Sequence, residues 1–320
     1  MTPKPSVCQT IEQALLATAI GDADTATAAR VEAHTRTCAP CREDFGRYRA
    51  IDSAVGAWRE TPAPAEEQAR ARLTSRLADL RRRTLVYRIF PSPLGPILIA
   101  RSEQGVSCVE YLTGGNDFAH SRLSRVEGIE ALPDGAEVEA LYRELLEYVE
   151  GRRTRLEWPL DLRLARSPFH RAVLQATARI PYGAVRSYAG VAGEVGKPAA
   201  TRAVAQALRW NPLPIVVPCH RVIGSSGALT GYAGSRVTLK QRLLAVEGIQ
   251  ARKAEHDFRV VREAMYARDH NDPAYCLPTC GSIGQRSLAG LTLFASRERA
   301  EAVGLTPCSD CRPDLHPISR

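Results

Sequence analysis

The chain has 320 residues, 44% of them apolar and 24% charged, with a net charge of +8. That composition fits a globular chain of two or three domains. No apolar run reaches transmembrane length and the opening MTPKPSVCQT has no signal-peptide core, so a cytoplasmic protein without a membrane partner is expected. The nine cysteines are an odd number, which in a reducing compartment excludes a disulfide framework and leaves metal ligation or catalysis. The positive charge is concentrated. Residues 159–250 carry twelve Lys and Arg against three acids, a net +9. A basic stripe of this kind is the footprint of a nucleic-acid partner, the alternative being a merely soluble basic surface.

Residues 7–20 read as a short helix with Ile11, Leu15 and Leu16 on one side, and 24–36 as a second that runs into His34-x3-Cys38-x2-Cys41. Residues 42–59 read as a third. A His and a Cys one turn apart share a helix face, and the Cys-x-x-Cys closes a turn. Together they supply three ligands of a tetrahedral zinc site, with Cys8 as the nearby candidate for the fourth. A reactive or incidental Cys-x-x-Cys is the alternative. The arrangement resembles the zinc-binding anti-sigma domain family over about residues 5–60. That resemblance implies a small helical zinc module binding a sigma factor or another protein. Residues 61–84 follow as a proline-punctuated loop and a charged linker helix with Leu73, Leu77 and Leu80 in a thin stripe.

From 85 to 112 the pattern changes to strands separated by Ser-Pro-Leu-Gly-Pro and Ser-Glu-Gln-Gly turns, with Cys108 as a core residue. An amphipathic helix over 134–150, with Asp134 near its start, completes a half that looks like scaffold. Ser167 then opens a helix that stops at Pro181-Tyr182-Gly183. Ser187–Val195 is a second, short helix, and Pro198 starts a third, PAATRAVAQALRW. The last two make a helix-turn-helix. Its second helix is nearly smooth with alanine. Arg202 projects from it, while Ala203, Val204 and Ala207 suit the core. Such a surface suits close approach to a narrow groove rather than base readout in the major groove.

Next comes Asn211-Pro-Leu-Pro214-Ile-Val-Val-Pro-Cys219-His220-Arg221. A cysteine at the end of a short β-branched run, beside a histidine and an arginine, is placed to become a thiolate. A buried structural cysteine is the alternative. The run from Ile180 to Gly248, with its Pro-Cys-His-Arg core, upstream Arg and Asn-Pro and downstream Gly-Tyr, resembles the O6-alkylguanine-DNA alkyltransferases, and the similarity extends over about 85–250. The resemblance implies Cys219 as a single-use methyl acceptor and His220 as a base acting through a water. It implies Glu247 as the group orienting that histidine and Asn211 as the residue ordering the turn. Arg202 would fill the gap left by a flipped nucleotide, Tyr188 would help rotate its phosphate, Tyr232 would hydrogen-bond O6, and Pro214 would line the pocket. The implied substrate is O6-methylguanine, and O4-methylthymine, in double-stranded DNA. The family's Tyr-x-Gly-Gly stands here as Tyr232-Ala233-Gly234-Ser235, with one extra residue before Lys240, which puts tolerance for larger alkyl groups in doubt.

Residues 251–272 are charged and read as helical. Cys276-x3-Cys280 and Cys308-x2-Cys311 form a four-cysteine zinc signature. TLFASRERAEAVGLTPCSDCRPDLHP resembles the end of the metal-binding domain of the Ada adaptive-response regulator, which implies zinc and Cys276 as a second methyl acceptor, from phosphotriesters. Leu277 stands where that family has arginine. The expected fold is therefore an α/β alkyltransferase core, with a small β-sheet scaffold half (85–158) and a helical active-site half with a helix-turn-helix (159–250). A helical zinc module (1–60), a linker helix (61–84) and a small α+β zinc domain (251–320) flank it, with two zinc ions. The alternative function is a methylation- or redox-responsive regulator that uses the alkyltransferase domain as a damage sensor.

Overall fold

In the computed structural model, residues 6–60, 64–112, 117–133, 136–234, 236–254, 257–270 and 272–318 are described. Asp134 and Ser235 lie outside the described residues. The chain divides into two compact units, Met1–Asp79 and Leu80–Arg320.

The first unit is helical: α1 (Ser6–Ala19), α2 (Thr25–Thr37) and α3 (Ala39–Glu60). Asp24 caps α2 by accepting the Thr27 N–H at 2.7 Å. The core is small. Ile11, Leu15 and Val31 are buried with Cys8 and Cys41. Leu16, expected beside Leu15, is 47% exposed, because it lies about 100° further round the helix than its neighbour. Helix α4 (Pro64–Arg83) follows, with Leu73, Leu77 and Leu80 all exposed.

The second unit opens with a four-stranded sheet in the order β3-β2-β1-β4, formed by β1 (Thr84–Phe90), β2 (Ile97–Ser102), β3 (Gly105–Tyr111) and β4 (Glu130–Pro133). The pairs β1–β2 and β2–β3 are antiparallel and β1–β4 is parallel. Helix α5 (Ala136–Val149) covers one face through Val138, Leu145 and Tyr148. Every residue of β3 is buried, because its outer edge is also covered. The Val109 N–H donates to Pro212 O at 2.8 Å, and the Val106 N–H donates to Pro159 O. Gly105 is needed for that approach: it has φ +145, and a Cβ there would lie 2.1 Å from Pro159 O.

The active-site half contributes α6 (Pro168–Ala178), β5 (Ala184–Ser187), α7 (Tyr188–Glu194), α8 (Thr201–Arg209), β6 (Val222–Ile223) and α9 (Val237–Val246). Helices α7 and α8 form the expected helix-turn-helix, but α8 starts at Thr201 rather than Pro198. Residues 197–200 close a turn instead, the Ala200 N–H donating to Lys197 O. Val204, Ala207 and Leu208 face inward, and Ala203 is exposed rather than core.

Among the described residues of 251–272 the expected helix is absent. That stretch forms the hairpin β7 (Ala251–Lys253) and β8 (Phe258–Val260), a 3-10 turn, and β9 (Tyr266–Asp269). Its inward residues, Val260, Met265 and Ala267, never build an apolar stripe of helical period, so strand pairing decides the conformation. Beyond it lie β10 (Ala274–Tyr275), β11 (Leu291–Phe294), α10 (Arg297–Glu301) and β12 (Thr306–Pro307). Strand β11 pairs antiparallel with both β5 and β9, giving one sheet in the order β6-β5-β11-β9. The sheet thus crosses residue 250, where a domain boundary was expected.

Candidate active site and metal centres

Asn211 organises the turn that carries the cysteine. Its Oδ1 accepts the Leu213 N–H at 2.9 Å, while its Nδ2 donates to Val217 O at 2.9 Å and to Cys219 Sγ at 3.2 Å. Ile215 within the turn has φ +75, a strained conformation for a β-branched residue. A 3-10 turn over Cys219–Arg221 then places Cys219 at the floor of two cavities, of about 400 and 410 Å³. Pro214, Asn211 and Tyr111 line the first, and Tyr188 and Tyr232 line the second. Burial pushes the Cys219 thiol up, and the Asn211 amide acts in the opposite direction.

Behind the cysteine, His220 and Glu247 are completely buried, with His220 Nε2 at 2.6 Å from Glu247 Oε1. Burial lowers the affinity of His220 for a second proton. Burial alone would raise the Glu247 carboxyl, but the Arg221 guanidinium and His220 outweigh it and hold it at about 2. The carboxylate is therefore charged and can only accept, which fixes the neutral imidazole as the Nε2–H tautomer. His220 Nδ1 is then a buried lone pair, and it has no protein partner. Such a lone pair is free to accept a proton.

Glu247 is caged on every side. Arg221 Nε donates to both its oxygens, at 2.9 and 3.1 Å, the Tyr148 hydroxyl donates at 2.5 Å and the Gly183 N–H donates at 2.9 Å. Lys240 is also fully buried. It donates to Val222 O at 2.5 Å and Thr230 O at 3.1 Å, and burial pulls its ammonium down to about 8.

Of the residues singled out from the sequence, Asn211, Pro214, Cys219, His220, Tyr188, Tyr232 and Glu247 converge. Arg202 does not reach this cluster; it stands exposed on α8 and lines neither cavity. Sequence reasoning singled out Arg221 as a neighbour of Cys219 but not as the partner of Glu247, and it missed Tyr148, Lys240 and, in the scaffold half, Tyr111. The Tyr111 hydroxyl lies 2.9 Å from that of Tyr232. No local pattern marks Tyr148, Lys240 or Tyr111; each matters because of a partner distant in the chain.

The two cysteine clusters also assemble. The ligand atoms of Cys8, His34, Cys38 and Cys41 lie within 4.8 Å of one another, as do those of Cys276, Cys280, Cys308 and Cys311. Cys8 Sγ is 3.7 Å from Cys38 Sγ and 3.8 Å from His34 Nε2. A tetrahedron with metal–sulfur legs of about 2.3 Å has edges of about 3.8 Å, so the donor set and its spacing fit zinc. Both groups could hold a metal ion. None of the nine cysteines is in a disulfide. Cys276 is 2% exposed, and Cys311 is partly open.

Residues 85–162 match the family described as "6-O-methylguanine DNA methyltransferase, ribonuclease-like domain", and residues 168–249 match its "DNA binding domain". A constitutive methylated-DNA–protein-cysteine methyltransferase of Bacillus subtilis is 41% identical over 163 residues, which cover 51% of this chain and 95% of that one. A Methanosarcina acetivorans protein of the same name is 39% identical, covering 51% and 99% respectively. The crystal structure of the Mycobacterium tuberculosis O6-methylguanine methyltransferase is 37% identical, covers 51% of this chain and 92% of its own, and gives a TM-score of 0.44. With both parts of the family's domain matched in order, and nearly the whole of such relatives spanned at this identity, the chain belongs to the methylated-DNA–protein-cysteine methyltransferases.

Proposed function

We propose that Cys219 is the residue that takes the methyl group, and that the roles of the surrounding side chains follow from their geometry. The family repairs DNA by transferring a methyl group from the DNA to a cysteine of the protein. The observation that carries the assignment is the buried His220–Glu247 pair beside Cys219, with His220 Nδ1 left as an unpartnered base. His220 takes the Cys219 proton through a bridging water, and Glu247 stabilises the imidazolium that forms. The Sγ lone pair attacks the methyl carbon, and the bond from carbon to O6 breaks with its electron pair staying on the guanine. The guanine takes a proton from the Tyr232 hydroxyl, and the proton that left Cys219 passes from the His220 imidazolium back to Tyr232 through water, so that the transfer ends with both side chains neutral. The resulting thioether has no return path to thiol, so each molecule acts once.

The substrates are O6-methylguanine and O4-methylthymine in double-stranded DNA. Because the reacting atom lies inside the duplex, the nucleotide must be extruded. Arg202, exposed on α8, fills the gap in the stack, and Tyr188 beside the Cys219 cavity steers the phosphate. Zinc at the two cysteine clusters crosslinks the helices and strands that supply its ligands, and contributes no chemistry at Cys219. Nine unpaired cysteines suit the reducing cytoplasm, and among the described residues no helix is long and apolar enough to cross a membrane. A protein partner for the N-terminal module, as a regulator would have, is supported by one observation. Ile51, Val55 and Trp58 form a stripe along α3 and are 60%, 39% and 81% exposed. Mass spectrometry after incubation with an O6-methylguanine duplex tests the assignment. One added methyl on Cys219 is expected, and an unmodified Cys219 would refute it.

A further inference from the structure

Relatives of this chain are spanned almost completely by about half of it, so residues 251–320 are an addition to the shared domain. They are not attached loosely. Strand β11 sits between β5 of the active-site half and β9, and the four-cysteine group is bonded into the same ladder. Cys276 and Ala267 exchange both backbone hydrogen bonds, Ala267 is opposite Leu293, and Leu293 is opposite Val185. Cys276, Cys280 and Cys308 share a core with Val185, Ile223 and Leu244. Ile223 lies four residues beyond Cys219. Leu277, next to the first ligand, packs against the cluster that contains Cys219 and Tyr232.

The residue that follows β11 is linked to the catalytic carboxylate through one intervening residue, Gly183. The Ala295 N–H donates to Gly183 O at 2.7 Å, and the N–H of the same residue, Gly183, donates to Glu247 Oε2 at 2.9 Å. Gly183 has φ +72, and a Cβ there would meet Arg299 Cγ at 3.0 Å and Glu247 O at 3.2 Å, so the C-terminal segment closes tightly over this turn. The Arg299 guanidinium lies 4.6 Å from the ring centroid of Tyr182, whose hydroxyl donates to Val246 O at 2.9 Å. Both ends of the Tyr182–Gly183 turn are thus tied to residues 246 and 247 on one side and to residues 295 and 299 on the other.

We propose that the four-cysteine segment is a working part of the alkyltransferase site: metal at Cys276, Cys280, Cys308 and Cys311 holds β11 in place, and Ala295 and Arg299 act as positioning residues for Glu247 and, through it, His220. Methyl transfer in this chain is then coupled to metal loading at a site outside the domain it shares with its relatives. The inference rests on Cys219 being the acceptor. Its mechanical content, the reactivity of the Cys219 thiol, can be read without DNA.

The test uses the full chain carrying Cys8→Ser to disable the N-terminal site. It compares zinc-loaded, chelator-stripped and zinc-restored protein, together with Arg299→Ala and Arg299→Lys in the loaded state. Alkylation of Cys219 by iodoacetamide is followed by peptide mass spectrometry across a pH series, beside methylation by an O6-methylguanine duplex. Stripping is expected to slow both reactions about tenfold and zinc to restore them. Arg299→Ala should slow both with its metal still bound and shift the pH profile of Cys219 alkylation, while Arg299→Lys, which keeps a cation over Tyr182, should recover most of the rate. Equal Cys219 alkylation rates and pH profiles in loaded protein, stripped protein and Arg299→Ala would overturn the proposal. Normal, metal-dependent alkylation of Cys219 without methylation by DNA would instead refute the assigned function and leave the coupling intact.

Discussion

His220 Nε2 stands 2.6 Å from Glu247 Oε1, with both side chains wholly removed from water. The pair has Arg221 as a third member, so its carboxylate balances a guanidinium as well as orienting an imidazole. Glu247→Gln should leave Arg221 buried without its counter-charge and cost about 3–5 kcal/mol of stability. It should also release the Nε2–H tautomer and slow methylation of Cys219 by about 100-fold or more. Denaturant unfolding and single-turnover kinetics with an O6-methylguanine duplex read the two effects separately. The sign of the pH effect follows from the same carboxylate. Its folded value, about 2, lies below the ordinary carboxylate range, so the unfolded chain binds more protons in acid. Stability is fully present above roughly pH 4.5 and is lost as pH falls toward 2. His220, kept neutral by burial, adds to the loss below roughly pH 6.5. The acid limb of stability should be shallower in Glu247→Gln than in the parent.

Lys240 gives the opposite limb. Its folded value, about 8, lies below the ordinary lysine value of about 10.5, so between those limits the unfolded chain holds the extra proton. Stability contributed at this site should therefore rise with pH from about 8 to 10.5, by about 3 kcal/mol across the window. Lys240→Met removes that rise, although it also strands the carbonyls of Val222 and Thr230. Urea unfolding of parent and variant at both ends of the window checks it: the gap between the two proteins should widen as pH increases.

Arg202 tests the division between chemistry and DNA distortion. It is exposed on α8 and touches neither cavity at Cys219. Arg202→Ala should change stability by less than about 0.5 kcal/mol. Methylation of Cys219 by a duplex should slow strongly, while reaction with the free alkylated base should keep its rate. An equal loss with both substrates would place Arg202 in the chemistry instead.

How far the sequence led is visible in these residues. Cys219, His220 and Asn211 lie within nine positions, and their types carry their chemistry, so the motif was legible. Glu247 was legible only through family resemblance, since the motif alone does not select it. Tyr148 and Lys240 were not legible, nor was the pairing of Arg221 with Glu247, because what makes them matter is burial against distant partners: Tyr148 meets Glu247 from 99 positions away. The two Cys/His clusters were legible because a single ion would dictate the spacing of such ligands. The strands over 251–269 were not. Their charged, weakly patterned residues acquire β structure from pairing in the β6-β5-β11-β9 sheet and the β7–β8 hairpin, which local periodicity does not encode.

The N-terminal unit should depend on its metal for its fold. Among its described residues only Cys8, Ile11, Leu15, Val31 and Cys41 form the buried cluster, and two of those five are candidate ligands. So small a core cannot offset the entropy of ordering three helices, and a crosslink among α1, α2 and α3 supplies what burial does not. Chelation should therefore melt α1–α3. The expected readout is a loss of far-UV helical signal and rapid proteolysis before residue 61, with the helices returning on addition of zinc. Cys41→Ser, which removes a ligand with little change in volume, should reproduce the melted state in the presence of zinc. A helical signal indifferent to both treatments would show that packing alone holds the unit together.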